Sequence, residues 1–314
     1  MATVAPEFSQ LRGRAESVDT RALHRSVYSR RGLLWTAGSI GLWAACRGPS
    51  PPLQDARDED LPDPRPNERD VMNPSPAPAP GPDLAAEGRL TARPGAPGAP
   101  GDAASAGTYR LGLTTTRDGL IHVPAAIDAG KPAPLVILLH GAGGDAEHGI
   151  SLLRGHAEHA GLLLLAVASR RSTWDVIQGG FGPDVEQLDR ALAWTFARHA
   201  VDATRLAIAG FSDGATYALS IGLGNGDLFT DIVAFSPGYM APSRLVGRPR
   251  VFITHGVQDT VLPIDRCGRR VAAALRSTGH DVTYKEFPDG HTVPAELRRA
   301  AVAWFDGDRE SPSR

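Results

Sequence analysis

The chain has 314 residues, of which 42% are hydrophobic and 22% charged, so it holds enough apolar material for one large core. The formal net charge is only -2 and the basic residues form no long run, which argues against nucleic acid as a partner. Two cysteines, Cys46 and Cys267, exclude a disulfide framework, and neither is spaced with histidines in the manner of a zinc site.

The first recognisable pattern in the chain lies at residues 29–46, which read SRRGLLWTAGSIGLWAAC. Basic, then apolar, then small residues are typical of a secretory signal, and Arg30 with Arg31 resembles the twin-arginine export class. The apolar stretch is shorter than the roughly 18 residues that a membrane-spanning helix needs. We therefore expect residues 1–46 to be an export signal of a periplasmic or otherwise extracytoplasmic protein. The long leader before it favours a start later than Met1.

Cys46 ends this signal in a second pattern. It follows two alanines, as in the lipobox of bacterial lipoproteins, where the cysteine carries the lipid, although Trp43 stands where leucine is usual. Lipid attachment at Cys46 and plain cleavage near it are two open alternatives. The first would give the protein a membrane attachment through an N-terminal lipid.

Residues 47–107 differ in composition from the rest of the chain, being rich in Pro, Ala and Gly with few bulky apolar side chains. Such a segment buries too little surface to offset the entropy lost on ordering. We expect a disordered linker over residues 47–107, a catalytic domain over residues 108–308 and a disordered tail over residues 309–314.

From Tyr109 onward, apolar runs of strand length alternate with helical periodicities. Near-continuous apolar runs such as PLVILLH are typical of strands buried on both faces of a parallel sheet. The predicted strands are 111–113, 118–124, 134–140, 162–168, 205–210, 231–236, 250–255 and an edge strand at 282–287. The predicted helices are 146–160, 183–196, 213–223, 264–277 and 294–305. This alternation predicts an α/β fold with a mostly parallel sheet of about eight strands and helices on both faces.

A G-x-S-x-G pattern, GFSDG at Gly210 to Gly214, joins the strand RLAIAG to the next helix. Glycines on both sides of a serine let strand and helix approach each other closely, so that the hydroxyl of Ser212 projects at the helix N-terminus. The backbone N–H groups there favour developing negative charge. Ser212 is the candidate nucleophile.

A glycine-rich loop, HGAGG, follows the strand PLVILLH. Its backbone N–H groups are candidates for holding an oxyanion, and the natural pair of donors is the N–H of Ala142 and that of Asp213, next to the serine. Gly141 is a candidate for substrate contact, whereas His140 is expected to buttress the loop.

Two later loops supply a carboxylate and an imidazole. Asp259 comes soonest after the strand RVFITH, so it is preferred as the orienting carboxylate over Asp265, at a helix start, and Asp289, too close in sequence to the candidate histidine. His291 follows the last strand and is the candidate proton acceptor for Ser212.

Taken together, GFSDGATYALSIGLGNGDLF, LLHGAGG, HGVQDTVLPID and FPDGHTVP resemble the α/β-hydrolase superfamily, over about residues 109–306. More narrowly, the motifs resemble its bacterial phospholipase/carboxylesterases and polyhydroxyalkanoate-depolymerase-like esterases, and the order Ser, Asp, His matches that fold. The resemblance implies a serine esterase that forms a covalent acyl-enzyme and needs no metal or organic cofactor.

The loop at residues 173–185 is expected to overhang the site, with Trp174 either packing against substrate or acting as a structural plug. Only about a dozen residues separate the strands 231–236 and 250–255, too few for a cap domain. The predicted site is therefore open and suited to small soluble esters or the ends of a polymer.

Other functions remain open on the same motifs. The same three side chains hydrolyse thioesters, lysophospholipids or peptide bonds in this fold. Two alternatives are not enzymes. The domain could serve as a catalytically silent binding module tethered at the envelope, or the protein could anchor at the envelope through its proline-rich segment.

Overall fold

The computed structural model of the protein describes residues 83–95, 105–127 and 131–307. Within these ranges the chain alternates strands and helices. The strands are β1 Gly107–Arg110, β2 Leu120–Val123, β3 Ala133–Leu139, β4 Leu163–Val167, β5 Val201–Phe211, β6 Asp231–Phe235, β7 Arg250–Gly256 and β8 Val282–Phe287. The helices are α1 Ala146–Ser151, α2 Arg154–Ala160, α3 Pro183–Arg198, α4 Asp213–Gly224, α5 Gly268–Ser277 and α6 Ala295–Asp306, with a short 3-10 turn at Asp175–Gln178.

All eight strands form one sheet in the order β1-β2-β4-β3-β5-β6-β7-β8. The β1–β2 hairpin joins β4 in the antiparallel sense, and all the remaining pairs are parallel. The predicted α/β-hydrolase sheet is thereby confirmed, including β8 at its edge. Parallel strands align their carboxyl ends, so the loops after β3, β5, β7 and β8 meet at one edge of the sheet.

The sheet is buried on both faces because its central strands alternate between two apolar clusters. Ile137 and Ile208 face a cluster that includes residues of α3, α4 and α5. Leu138 and Phe252 face a second cluster that includes residues of α1, α2 and α6. Each Å² of apolar surface buried on the two faces stabilises the fold by about 25 cal/mol. The central strands are therefore held firmly, and the residues of the site lie at their ends.

Two predicted elements differ in kind from those observed, and the predicted helix 264–277 begins only at Gly268. The predicted strand 111–113 forms part of the turn after β1, because the buried Asp118 carboxylate accepts the N–H groups of Gly112 and Leu113 at 2.7 and 3.1 Å. The predicted helix 146–160 is two helices, since Leu153 leaves the helical conformation at φ -127° and places its side chain in the core.

Residues 83–95 correct the predicted linker. Leu90 is buried, and its N–H donates to the side chain of Asn225 at 2.9 Å. Arg89 forms a two-pronged ion pair with Asp227, and Asp189 accepts the N–H of Thr91 at 2.8 Å. The folded domain therefore starts well before residue 108, because one leucine and its polar neighbours find partners on α3 and just after α4.

The export signal, Cys46 and the tail 309–314 lie outside the described residues. Among the residues that are described, no helix has the length and apolar character needed to cross a membrane.

Candidate active site

Ser212 occupies a sharp turn between β5 and α4. Its backbone has φ 57° and ψ -119°, a conformation that costs a residue with a side chain free energy and persists only where the surroundings fix it. The Ser212 N–H donates to the Phe235 carbonyl at 2.9 Å. Gly214 permits the turn, since a Cβ there would lie 2.2 Å from the Leu139 carbonyl oxygen. The predicted strand–turn–helix setting of Ser212 is present.

His291 lies between Ser212 and Asp259, although the three residues are far apart in the chain. Its Nε2 is 2.8 Å from the Ser212 hydroxyl oxygen, and its Nδ1 is 2.6 Å from the Asp259 carboxylate. The Phe211 ring packs against the imidazole at 4.8 Å between centroids. Gly256 lets the His291 loop close onto β7, because a Cβ there would lie 2.3 Å from loop carbonyl oxygens.

Asp259 is held as rigidly as the imidazole that it faces. One carboxylate oxygen accepts the N–H groups of Val261 and Leu262 at 2.9 and 2.8 Å, while the other faces His291. The two rival carboxylates lie elsewhere: Asp265 is exposed and pairs with an arginine of α5, and Asp289 accepts the N–H of its own neighbour. Of the three candidates, the structure brings Asp259 to the imidazole.

His255, which the sequence analysis passed over, lies behind this carboxylate. It is completely buried on β7, and its Nε2 donates to the Leu262 carbonyl at 2.7 Å and lies 3.3 Å from Asp259. Burial lowers the pKa of His255, so the ring is neutral, with its proton on Nε2. The motif HGVQD could have pointed to this role for His255. A histidine at the end of a strand, four residues before Asp259, is well placed to contact that carboxylate.

His140 buttresses the glycine loop, as predicted for it. Its Nε2 accepts the Ser169 N–H at 2.9 Å, so the proton sits on Nδ1 and is donated to the Gly141 carbonyl at 2.6 Å. Burial lowers the pKa of His140, which keeps this neutral form. The Gly143 N–H donates to the Ser172 carbonyl at 2.6 Å, so the loop is fixed at both ends.

Ala142 and Asp213 offer their backbone N–H groups beside Ser212. In the described part of the chain neither group donates a hydrogen bond to another protein atom. Gly141, the residue before Ala142, lies against the serine, since a Cβ on Gly141 would be 3.4 Å from that of Ser212. The Asp213 carboxylate is held by the Thr173 hydroxyl at 2.5 Å, which orients the first turn of α4.

Trp174 is not at the surface of the site, and the expectation that it packs against substrate is wrong for this conformation. The side chain is completely buried, its indole N–H donates to the His140 carbonyl at 2.9 Å, and its ring stacks on Tyr217 at 4.7 Å. The alternative, a structural plug beneath the glycine loop, describes its position. A large aromatic with a partner for its N–H is well suited to this burial.

Two carboxylates order the loop that follows Trp174. Asp175 and Asp184 each accept the backbone N–H of the other, at 3.0 and 2.8 Å. Burial raises the pKa of both carboxyls, and their mutual repulsion adds to this for Asp184. They bind the loop to itself and to the start of α3.

A cavity of about 320 Å³ opens beside the glycine loop. It is bounded by Gly141 to Gly144, by His148 and Leu152 at α1, and by Phe211, the residue before Ser212. The loop that separates β6 from β7, residues 236–249, contains no helix. Among the described residues no cluster of His, Cys, Asp or Glu has the arrangement of a metal site.

The comparisons with known proteins agree with this architecture. Residues 178–303 match the family model described as Phospholipase/Carboxylesterase. Comparison with curated protein sequences gave no match.

Two solved structures with TM-scores above 0.5 share the fold at low identity. A bifunctional GH43-CE protein of Bacteroides eggerthii gives a TM-score of 0.53 at 14% identity, over 65% of this chain and 38% of that one. A truncated carbohydrate esterase from gut microbiota gives 0.53 at 14%, over 66% and 97%. Esterase PE8 is 24% identical over 59% of this chain and 95% of its own, with a TM-score of 0.49.

The fold, the match over the second half of the domain and the resemblance of its motifs agree. The chain has the α/β-hydrolase fold, and its residues 178–303 are similar to the phospholipase/carboxylesterase family.

Proposed function

We propose that the protein hydrolyses carboxylic esters through a covalent acyl-enzyme on Ser212. The observation that carries the proposal is the unbroken chain of hydrogen bonds from the Ser212 hydroxyl through His291 to Asp259, at 2.8 and 2.6 Å. These are the distances over which a general base accepts a proton in the transition state.

The proton path follows from the tautomer of His291. The carboxylate of Asp259 only accepts, so Nδ1 of His291 carries a proton and Nε2 is free to take the one from Ser212. The serine oxygen then adds to the ester carbonyl, and the resulting imidazolium gives the proton to the departing alcohol. A water molecule, activated by the same ring, hydrolyses the acyl-enzyme.

The negative charge that develops on the carbonyl oxygen needs donors that are already in place. Among the described residues, the N–H groups of Ala142 and Asp213 donate to no other protein atom and are available for this role. Such preorganised donors contribute roughly a hundred- to a thousand-fold in rate each.

The substrate class follows from the space beside the serine. The cavity of about 320 Å³ is lined by the glycine loop with Ala142, by Leu152 and Phe211, and by His140 and His148, and its size favours a short acyl group. With no helical cap over the site in the described residues, we propose small soluble esters or the exposed ends of a polymer as substrates.

The test is a panel of p-nitrophenyl esters of graded acyl length, with matched thioesters and a chromogenic peptide. Wild-type protein is compared with Ser212→Ala, and we expect a loss of about three or more decades in kcat/KM for the preferred ester. The control variant is Ser151→Ala, at the exposed end of α1. Equal turnover by the wild type and Ser212→Ala would contradict the proposal.

Covalent labelling separates an enzyme from a silent binding module. A fluorophosphonate reacts with an activated serine, and peptide mapping is expected to place the adduct on Ser212. A domain that binds ligands without turnover leaves Ser212 unlabelled. The ratio of kcat/KM for the esters to kcat/KM for the thioesters and the peptide shows which of these substrate classes the protein prefers.

Export, with or without lipid at Cys46, completes the proposal for the whole chain. It is checked by fractionating a bacterial host that carries a twin-arginine translocon. Replacement of Arg30 and Arg31 by lysine is expected to retain the protein in the cytoplasm. A detergent-requiring fraction that is lost in Cys46→Ser would support the lipid, and a soluble wild type would support plain cleavage.

A further inference from the structure

Arg117 adopts a backbone conformation that is unusual for its residue type. It lies in the turn between β1 and β2 with φ 51°. Its carbonyl accepts the side-chain amide of Gln187 at 3.2 Å, and the next residue, Asp118, is fixed by the turn that it caps. A left-handed arginine persists where surrounding contacts outweigh the backbone strain, and such positions concentrate at functional sites.

The Arg117 side chain reaches from this turn to the glycine loop beside Ser212. Its guanidinium donates to the carbonyl of Gly144 at 2.6 Å and to the carbonyl and hydroxyl oxygens of Ser169 at 2.5 and 3.3 Å. The same nitrogen that reaches Gly144 lies 3.4 Å from Nε2 of His140. In the described part of the chain, Arg117 makes no ion pair with a carboxylate.

Two of these partners, His140 and Gly144, are the two ends of the glycine loop. His140 donates to the Gly141 carbonyl at the start of the loop, and the Gly144 N–H donates to that same carbonyl at 3.1 Å. Arg117 holds the carbonyl of Gly144, which belongs to the next peptide along the chain. The Ala142 N–H shares its peptide plane with the Gly141 carbonyl, which the Gly144 N–H holds in place. Because Arg117 fixes Gly144 in turn, the Ala142 N–H has little freedom to change direction.

The charge of Arg117 acts in the same direction. Its guanidinium is part-buried and satisfied by carbonyl oxygens rather than by a carboxylate, so a negative charge that develops nearby is stabilised by it. Lysine would supply the charge without the planar fork that reaches two carbonyls at once.

We propose that Arg117 is a positioning residue of the oxyanion site, which fixes the glycine loop so that the Ala142 N–H faces the carbonyl oxygen of the substrate. The proposal rests on the proposed ester hydrolysis. It gives the β1–β2 hairpin a part in the reaction, although among the described residues no hydrogen bond joins the hairpin to Ser212, His291 or Asp259.

Steady-state kinetics on the full domain test the proposal. In Arg117→Met we expect kcat to fall by roughly 10- to 100-fold, with KM within about threefold, because an oxyanion donor contributes mainly in the transition state. Arg117→Lys should retain an intermediate rate. In Arg117→Ala, guanidinium chloride at millimolar concentration should restore part of kcat.

The matched control is Arg110→Met, an arginine of the same hairpin whose side chain is 68% exposed. It should keep the wild-type kcat. An unchanged kcat in Arg117→Met, a loss confined to KM, an equal loss in Arg110→Met or a failure of guanidinium to rescue would each overturn the positioning role.

Hydrogen exchange distinguishes failure of this inference from failure of the proposed function. If the wild type shows no ester turnover that depends on Ser212, the proposed function fails, but the loop is still measurable. Faster amide exchange in a peptide spanning residues 139–147 of Arg117→Met, and not of Arg110→Met, supports a held loop. Equal exchange in both variants overturns it.

Discussion

Gly210 and Gly214, the glycines on either side of Ser212, lie so close together that a Cβ on Gly210 would stand 2.3 Å from the Gly214 carbonyl carbon. No rearrangement of a flexible side chain relieves a contact between two backbones. The approach of β5 to α4, and hence the exposure of the serine hydroxyl at the turn, therefore depends on these two positions.

Gly210→Ala is expected to destabilise the fold by about 3 kcal/mol or more, because overpacking against backbone forces the turn open. The matched variant is Gly155→Ala in α2, where a Cβ would have no atom within 4 Å. That change should leave stability equal or raise it by about 0.5–1 kcal/mol, through helix propensity. Urea unfolding of both variants checks the contrast. Equal free energies of unfolding in the two variants would contradict the close approach of β5 to α4.

Asp259→Asn is expected to lower kcat by roughly ten-thousandfold while the protein stays folded. An amide donor or acceptor in this place permits the wrong tautomer of His291, which then cannot accept the serine proton. Asp265→Asn, at an exposed carboxylate paired with Arg269, is the control and should retain activity. The measurement is ester turnover beside circular dichroism. A larger loss of activity in Asp265→Asn than in Asp259→Asn would show that Asp259 is not the carboxylate that orients His291.

Trp174→Ala is expected to cost about 3–5 kcal/mol of unfolding free energy, as for other buried aromatics. Trp174→Phe retains the stacking on Tyr217 but removes the donor to the His140 carbonyl, so its cost should be about 1–3 kcal/mol. In the folded fraction of either variant, the preference among acyl lengths should not change. A shifted preference with full stability would instead place Trp174 against the substrate.

The stability of the domain should fall as the pH is lowered from 7.5 to 5.5. Burial lowers the pKa of His140 and His255, so these rings stay neutral in the folded chain while the unfolded chain takes up protons near pH 6.5. The unfolded state then binds more protons, and stability rises with pH across this window. Asp175 and Asp184, whose pKa values are raised, act in the opposite sense, toward the acidic end.

Urea unfolding at several pH values measures that slope, which amounts to at most about 1.4 kcal/mol per pH unit for each such histidine. His255→Gln should reduce the slope, because this variant removes one of the buried rings. A slope that is unchanged in His255→Gln would show that this ring titrates alike in the folded and unfolded chain.

The sequence was most informative at strand ends. Ser212, Asp259 and His291 each follow a buried apolar run, and parallel strands bring such positions to one edge, so a local pattern predicted a contact across 79 residues. The burial of Trp174 was not predictable in this way, because the local sequence around an aromatic residue in a loop is the same whether its side chain faces solvent or the core.

Residues 83–95 and Arg117 show a second kind of contact that the sequence does not predict. Their partners, Asn225 for Leu90 and Gly144 for Arg117, lie 135 and 27 positions away in the chain, and nothing in their own composition marks them. A left-handed arginine in a short turn has no sequence signature comparable to glycine. Contacts of this kind depend on the finished packing rather than on local preference.

The docking of Leu90 onto Asn225 also has a mechanical consequence. Asn225 follows the last turn of α4, so this contact lies about 18 Å along the helix from Ser212, at the opposite end of its 12 residues. A pull on the chain ahead of the domain is therefore transmitted first to the Leu90 and Arg89 contacts. Strain from such a pull would loosen that far end of α4 before it disturbed the serine.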